Sequence, residues 1–292
     1  MTAAPPRAGD LSARGRGPSA AERYRLQPRA VGVGLQLAGI LIGLLIWQLA
    51  SVSLDEHTMP GPVDTYRYMA DNLFESEYLV AHGLSDGNGY LPHLWYTTRN
   101  VLIGVGIGTA IGVSIGLASL RIKVLHEVAS SITAVFGTAP IFVAAPFFLI
   151  WFGIVPTAQI MIVGFYTALL MYVFSRRAGE NIPSAYIESA LTLGSGRRQV
   201  FRRVHLPGSV PEMTGGFRIA LAGAWGLAAI AELLGSQQGA GFLIRFYSSS
   251  FVVDGMFALI LLLGLIALLV DRIVVEVTHY LTRWAEAGHG VR

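Results

Sequence analysis

Long apolar runs alternate with short polar segments along this chain, and the length of each run predicts what it can form. From Ala30 to Leu54 there are 25 residues without a charge. A hydrocarbon core roughly 30 Å thick takes about 20 helical residues to cross, whereas a secretory signal has an apolar region of only about 7–15. The run therefore predicts an uncleaved spanning helix. A second run, from about Leu94 to Leu120, carries Gly104, Gly108, Gly112 and Gly116 at four-residue spacing. Small residues at that interval clear one helix face and let another backbone approach, so the four glycines predict a packing face. Between Glu127 and Arg176 lie 48 uncharged residues, too many for one crossing. Pro140, Pro146 and the Gly153–Pro156 turn divide them into spans near 124–152 and 157–175. A Gly/Ala-rich run near 216–235, a loop near 236–250 and a last run near 251–279 complete a set of six spans.

The polar segments fix the organisation. Residues 1–29, rich in Pro, Gly, Ala and Arg, predict a disordered tail, because such a sequence buries too little surface to fold alone. Residues 30–54 form the first span, and the acidic segment 55–93 contains a surface helix expected over Val63–Val80. Residues 94–284 form the membrane core, with a basic segment at 179–216, and 285–292 form a second tail. Composition agrees: 53% of residues are hydrophobic and 13% charged, against about 25% charged in soluble domains. The fold class predicted is an all-α polytopic membrane protein. With the first tail inside, the inside segments hold 18 of the 21 Lys and Arg residues. The positive-inside rule then places both termini in the cytoplasm. The basic bias is thus a topology signal, and no nucleic-acid partner is expected.

Several chemistries are excluded. The chain has no cysteine, which removes disulfides and thiolate metal sites. Its seven histidines are scattered, with no His-Glu-x-x-His pair for zinc, and there is no Gly-x-Ser-x-Gly nucleophile turn. The one lysine, Lys123, follows Ile122, so the Gly-Lys step of a phosphate loop cannot occur. ATP-driven work would need a separate subunit. Prolines within membrane helices free backbone carbonyls and often line cavities, which makes Thr138, Pro140 and Trp151 candidates for a translocation path. Glu232, near the end of an apolar run, is a fourth candidate, expected to gate the path or pair with Arg245.

The segment 183–207 has a shape of its own. Pro183 suits a first helical turn, and Tyr186, Ala190 and Leu193 fall on one helix face. Gly194 suits a left-handed helix end, and Ser195 can cap a second short helix that ends near Pro207. That second helix mixes apolar Val200, Phe201 and Val204 with Arg197, Arg198, Arg202 and Arg203. The pair reads as a compact knob for insertion into a partner, or as an amphipathic hairpin on anionic headgroups.

Glu188-Ser189-Ala190, three residues, Gly194, nine residues and Val204-His205-Leu206-Pro207 resemble the EAA loop of bacterial ABC importer permeases. Every spacing of that loop is kept, and Ser189 stands where the central alanine is usual. Thr97-Thr98-Arg99, Thr138-Ala139-Pro140, Pro146 with Trp151 to Ile154, Gly216 to Ala220, Ala231-Glu232 and Gly239-Ala240-Gly241 are similar to the nitrate/sulfonate/taurine branch of that family. The resemblance covers roughly residues 55–284. It implies a type I importer permease fold in a bacterial inner membrane, and no bond chemistry in this chain. Glu188, Ser189, Ala190, Gly194, Val204, Leu206 and Pro207 would dock cytoplasmic ABC ATPase subunits, which hold the ATP and magnesium. No cofactor is implied for this chain itself. The other implied partners are an extracytoplasmic binding protein, a second permease copy and membrane lipids. The cargo implied is a small organic anion such as a sulfonate, taurine or nitrate. A secondary transporter or channel is the alternative, but the sequence shows no convincing inverted repeat and little of the intramembrane charge that such proteins carry.

Overall fold

The computed structural model describes residues 29–54, 58–138 and 141–286; the remaining parts of both expected tails, residues 55–57, Ala139 and Pro140 lie outside the described residues. The described chain is helical, and its one extended pairing is an isolated bridge between Glu75 and Asn88. Its described residues fall into two compact units, divided after Pro62. In the first, α1 (Arg29–Leu54) is long and apolar enough to cross a membrane. The Trp47 indole N–H donates to the Pro60 carbonyl at 2.9 Å, tying the following turn back to the helix.

The second unit opens with α2 (Pro62–Asn72) and α3 (Glu77–Ala81), two helices where the sequence predicts one over 63–80. Polar side chains make the break. Asn72 donates its amide to the Tyr68 carbonyl at 2.9 Å, and the Ser76 hydroxyl accepts from Leu79 N–H at 3.3 Å, capping the new helix.

Next, α4 (Leu91–Ser119) packs along α7 (Pro156–Glu180). The four spaced glycines of α4 face this seam. A Cβ on Gly104 would strike Val163, one on Gly108 the Gly164 carbonyl, and one on Gly116 the Ser175 hydroxyl. At Gly112 it would lie 2.5 Å from the Ala168 carbonyl oxygen. Helices surrounded by lipid gain little from apolar burial against each other, so close van der Waals approach and interhelical hydrogen bonds hold them together. Both occur here, since the buried Asn100 amide donates to Gln159 Oε1 at 2.8 Å across the seam.

The expected span over 124–152 is not one straight helix. It consists of α5 (Lys123–Thr138), a 3₁₀ turn (Ile141–Ala144) and α6 (Ala145–Phe152), with a bend of 93° between the two halves. Pro146 sits in the first turn of α6, where its missing N–H has no intrahelical partner to lose. Gly153, at φ +82°, ends α6. Five helices among the described residues can cross a membrane, and the number reaches six when the bent pair counts as one span.

The basic segment holds α8 (Ser184–Thr192) and α9 (Arg197–Val200). The second helix does not end at Pro207. It continues through a π turn (Phe201–His205) into α10 (Leu206–Gly235), giving an unbroken run of 39 residues from Arg197 to Gly235. Proline blocks the regular i→i−4 bond and crowds the preceding turn. The π turn widens the helix ahead of Pro207, and Leu206 N–H bonds back to the Phe201 carbonyl across it.

The expected loop over 236–250 is largely another helix, α11 (Ala240–Ser249), followed by α12 (Val253–Glu286). Leu94, Val101 and Val105 of α4, Ile162 of α7, Leu221 and Ala228 of α10, Leu243 of α11 and Leu259 of α12 share one core.

Candidate functional site

Two places carry the functional geometry, at opposite ends of α10. At one end the 183–207 segment projects Tyr186 and Leu193, 65% and 85% exposed, beside the exposed Glu188 and Ser189. A shallow groove lined by Ala185, Glu188, Ser189, Thr192 and Leu193 runs along this face. The turn that follows is a Schellman motif. Gly194, at φ +80°, donates to the Leu191 carbonyl at 2.9 Å, and Ser195 N–H donates to the Ala190 carbonyl at 3.0 Å. The second helix is capped by Gly196 in place of Ser195, and Gly196 N–H donates to Gln199 Oε1 at 3.1 Å. Val200 is buried beneath it, Val204 is half-buried and Leu206 is exposed at 42%.

Side chains from other elements brace the segment. Arg121, in the turn between α4 and α5, donates to the Arg197 carbonyl at 2.5 Å, and its guanidinium lies 4.4 Å from the centre of the Phe201 ring. The Asn181 amide donates to both oxygens of Glu212 at 2.9 and 3.0 Å. Arg176 joins the ends of α4 and α7 by donating to the Ser119 carbonyl at 2.8 Å.

At the far end of α10, Glu232 is fully buried. Its Oε2 accepts from the Thr97 hydroxyl at 2.8 Å and from Gly241 N–H at 2.9 Å. Thr97 in turn accepts from Ala240 N–H at 2.9 Å, and His93 Nδ1 accepts from Gly239 N–H at 3.2 Å. Three successive donors at the start of α11 are therefore capped by side chains of α4 and α10. A carboxylate also suits the positive end of a helix dipole. Glycine makes the approach possible: a Cβ on Gly239, at φ +105°, would strike the Glu232 carboxylate, and one on Gly241 would strike the Ala229 carbonyl.

Of the two roles the sequence leaves open for Glu232, gating or pairing with Arg245, the structure does not form the pair. The Arg245 guanidinium donates to the Ser236 carbonyl at 3.1 Å and lies 5.6 Å over the Phe242 ring. From this clasp an aromatic layer runs outward through α11. Tyr247 accepts a hydrogen bond from the Tyr90 hydroxyl at 3.0 Å and stacks on Tyr78 at 5.3 Å, joining α11 to α3. Burial pushes the Tyr68 and Tyr90 phenols well above the usual tyrosine range.

Of the four path candidates, Trp151 is 72% exposed on α6, whereas Glu232 is enclosed, so the two share no surface. Thr138 ends α5, and Pro140 lies outside the described residues. The residues that sequence reasoning did not connect are His93, Thr97 and Gly239 to Gly241. Their only signal was the likeness of Thr97, Glu232 and the Gly-Ala-Gly triplet to one transporter branch, three separate pieces that meet here.

The family described as binding-protein-dependent transport system inner membrane component matches residues 108–277, more than half of the chain. The chain belongs to that family. The match runs from the α4 seam to α12 and includes the whole 183–207 segment and the α10 and α11 sides of the clasp. A probable ABC transporter permease of Brucella abortus (strain 2308) is 24% identical over 261 residues, 89% of this chain and 99% of that protein. The taurine transport system permease TauC of Escherichia coli K12 is 28% identical over 194 residues, covering 66% and 70%. The putative aliphatic sulfonates transport permease SsuC of Bacillus subtilis 168 is 24% identical over 260 residues, covering 88% and 89%. Among solved structures, the inward-facing MetNI methionine ABC transporter has the same fold at a TM-score of 0.60, with 22% identity over 71% of this chain and 99% of its own. This permease is therefore the multi-pass membrane subunit of an ABC importer, with the type I importer fold.

Proposed function

We propose that this permease carries a small organic anion of the sulfonate, taurine or nitrate kind, driven by ATPase subunits docked on the 183–207 segment. The observation that carries the reading is the exposed Tyr186, Glu188 and Leu193 face on a braced knob, in a chain without a phosphate loop. ATP and magnesium belong to the ATPase, and a binding protein delivers the anion. Two copies of the chain enclose the path. Trp151 and the bend after Thr138 line it, while Glu232 acts by holding the clasp. The cargo class is supported by the likeness to the taurine and aliphatic sulfonate permeases.

The test is reconstitution with the neighbouring ATPase and binding protein. Wild-type protein is expected to take up labelled taurine or another sulfonate in an ATP-dependent manner. Glu188→Lys and Gly194→Val are expected to insert normally but to lose uptake and ATPase co-purification. A Cβ at Gly194 meets nothing within 4 Å, so the valine penalty is the left-handed backbone, about 1–2 kcal/mol, together with a re-aimed α9. Wild-type uptake and ATPase retention in both variants would refute the docking assignment. Failure of every sulfonate, with another solute transported, would refute only the cargo.

Orientation is tested separately. The chain has no cysteine, so single cysteines at Asp71 and Ser195 report without background. An impermeant thiol reagent applied to intact cells is expected to label position 71 and spare 195. The reverse pattern overturns the proposed cytoplasmic termini.

A further inference from the structure

Five guanidinium groups gather around α9 and the π turn, and among the described residues none of them forms an ion pair. Arg197 and Arg198 open α9, and Arg202 and Arg203 lie in the π turn. Arg121 reaches them from the α4–α5 turn through the Arg197 carbonyl and the face of Phe201. All five residues are exposed. Three carboxylates of the adjoining helices are engaged with other partners, Glu127 with Lys123, Glu180 with Arg176 and Glu212 with the Asn181 amide, and Glu188 lies on the α8 face proposed to meet the ATPase. So much uncompensated like charge repels itself unless an outside anion neutralises it.

The neighbouring side chains indicate which anion. Ile122, Val124 and Leu206, exposed at 52%, 69% and 42%, border the arginines, and the last two begin the apolar helices α5 and α10. Cations set beside exposed apolar side chains, at the level where spanning helices start, fit a headgroup layer above an acyl layer. The face proposed to meet the ATPase is different in kind, since α8 (sequence SAYIESALT) carries no basic residue.

We propose that this basic rim binds the phosphate groups of anionic phospholipids and anchors the base of the coupling segment to the membrane surface. The lipid layer supplies the missing counter-charge, and the Arg121 brace joins the α4–α5 turn and the π turn into one lipid-facing unit. The proposal goes beyond the transport reading, and its lipid measurements need neither a cargo nor an ATPase.

The experiment places the full-length protein in nanodiscs of phosphatidylcholine with phosphatidylglycerol and compares, by electron paramagnetic resonance, how strongly spin-labelled forms of the two lipids associate with it. Wild-type protein is expected to prefer phosphatidylglycerol, with the preference falling as salt is added. Each arginine neutralised is expected to weaken it by up to about fivefold, so the triple variant Arg121→Gln, Arg202→Gln, Arg203→Gln should show little preference. The corresponding lysine variants should keep it. Equal association of the two lipids with wild-type protein at low salt overturns the proposal, and this arm requires no variant to fold. Full preference in the triple glutamine variant also overturns it. If that variant keeps its lipid preference but loses ATPase co-purification, the rim faces the partner protein and the lipid assignment is wrong.

Discussion

Glu232→Ala is expected to lower the thermal stability of the purified permease sharply, while Glu232→Gln lowers it much less. The alanine removes the shared acceptor of the Thr97 hydroxyl and Gly241 N–H, both held at under 3 Å inside a fully buried site. Each donor left unsatisfied in such a site costs about 1–3 kcal/mol, and the start of α11 loses its cap at the same time. Glutamine keeps an acceptor oxygen of nearly the same reach. The melting temperature in detergent, followed by intrinsic tryptophan fluorescence, reads both. If the alanine variant melts with the wild type, the clasp does not hold α11. Equal large losses in both variants would mean that the negative charge, more than the hydrogen bonds, is what α11 requires.

Gly112→Val should prevent α4 and α7 from closing. The first carbon of the new side chain would lie 2.5 Å from the Ala168 carbonyl oxygen and 2.7 Å from Met171 Cβ. Backbone cannot rotate away as a flexible side chain can, so the two helices must separate along the seam. Overpacking of this kind costs about 1–3 kcal/mol or more, and the seam also contains the Asn100–Gln159 bond. Gly106→Ala is the matched control. It lies on the same helix with nothing within 4 Å of its Cβ, and alanine favours the helix over glycine by roughly 0.5–1 kcal/mol. The expected result is loss of monodisperse protein on size exclusion for Gly112→Val and wild-type or higher yield for Gly106→Ala. Equal behaviour of the two would show that the glycine row is not what sets the approach of α4 to α7.

Features encoded locally were legible in the sequence. The glycine row was visible because close helix approach imposes a fixed period, and the Gly194 turn because one residue supplies its left-handed conformation. Features encoded across the chain were not. The start of α11 looks like loop, with Gly239 and Gly241 and no adjacent capping side chain. Its caps come from His93 and Thr97, 146 and 143 residues away, and from Glu232. For the same reason Glu232 and Arg245 do not pair, because the carboxylate accepts from the Gly241 N–H and the Thr97 hydroxyl, donors that opposite-charge reasoning does not count. Pro207 was misread in the other direction. The rule that proline ends a helix is local, and the π turn from Phe201 to His205 satisfies it without stopping the chain. The α2–α3 break turns on the Asn72 and Ser76 side chains, which a periodicity argument averages away. Pro140 and Pro146 marked a disturbance, but the periodicity of the run does not encode the 93° bend between its two halves.

Stiffness is unevenly distributed along the run from Arg197 to Gly235. Both of its irregularities, the π turn and Pro211, fall near the knob, and α10 contains no other proline beyond Pro207 in its first turn. Helices bend at such places and resist bending elsewhere. The stretch from Pro211 to Glu232 therefore behaves as a lever about 31 Å long, at 1.5 Å per residue. A tilt of about 5° at its base would carry the Glu232 end sideways by nearly 3 Å. Hydrogen bonds now at 2.8 and 2.9 Å cannot stretch so far and survive. Any such tilt must either drag α4 and α11 along with α10 or unlatch them from it.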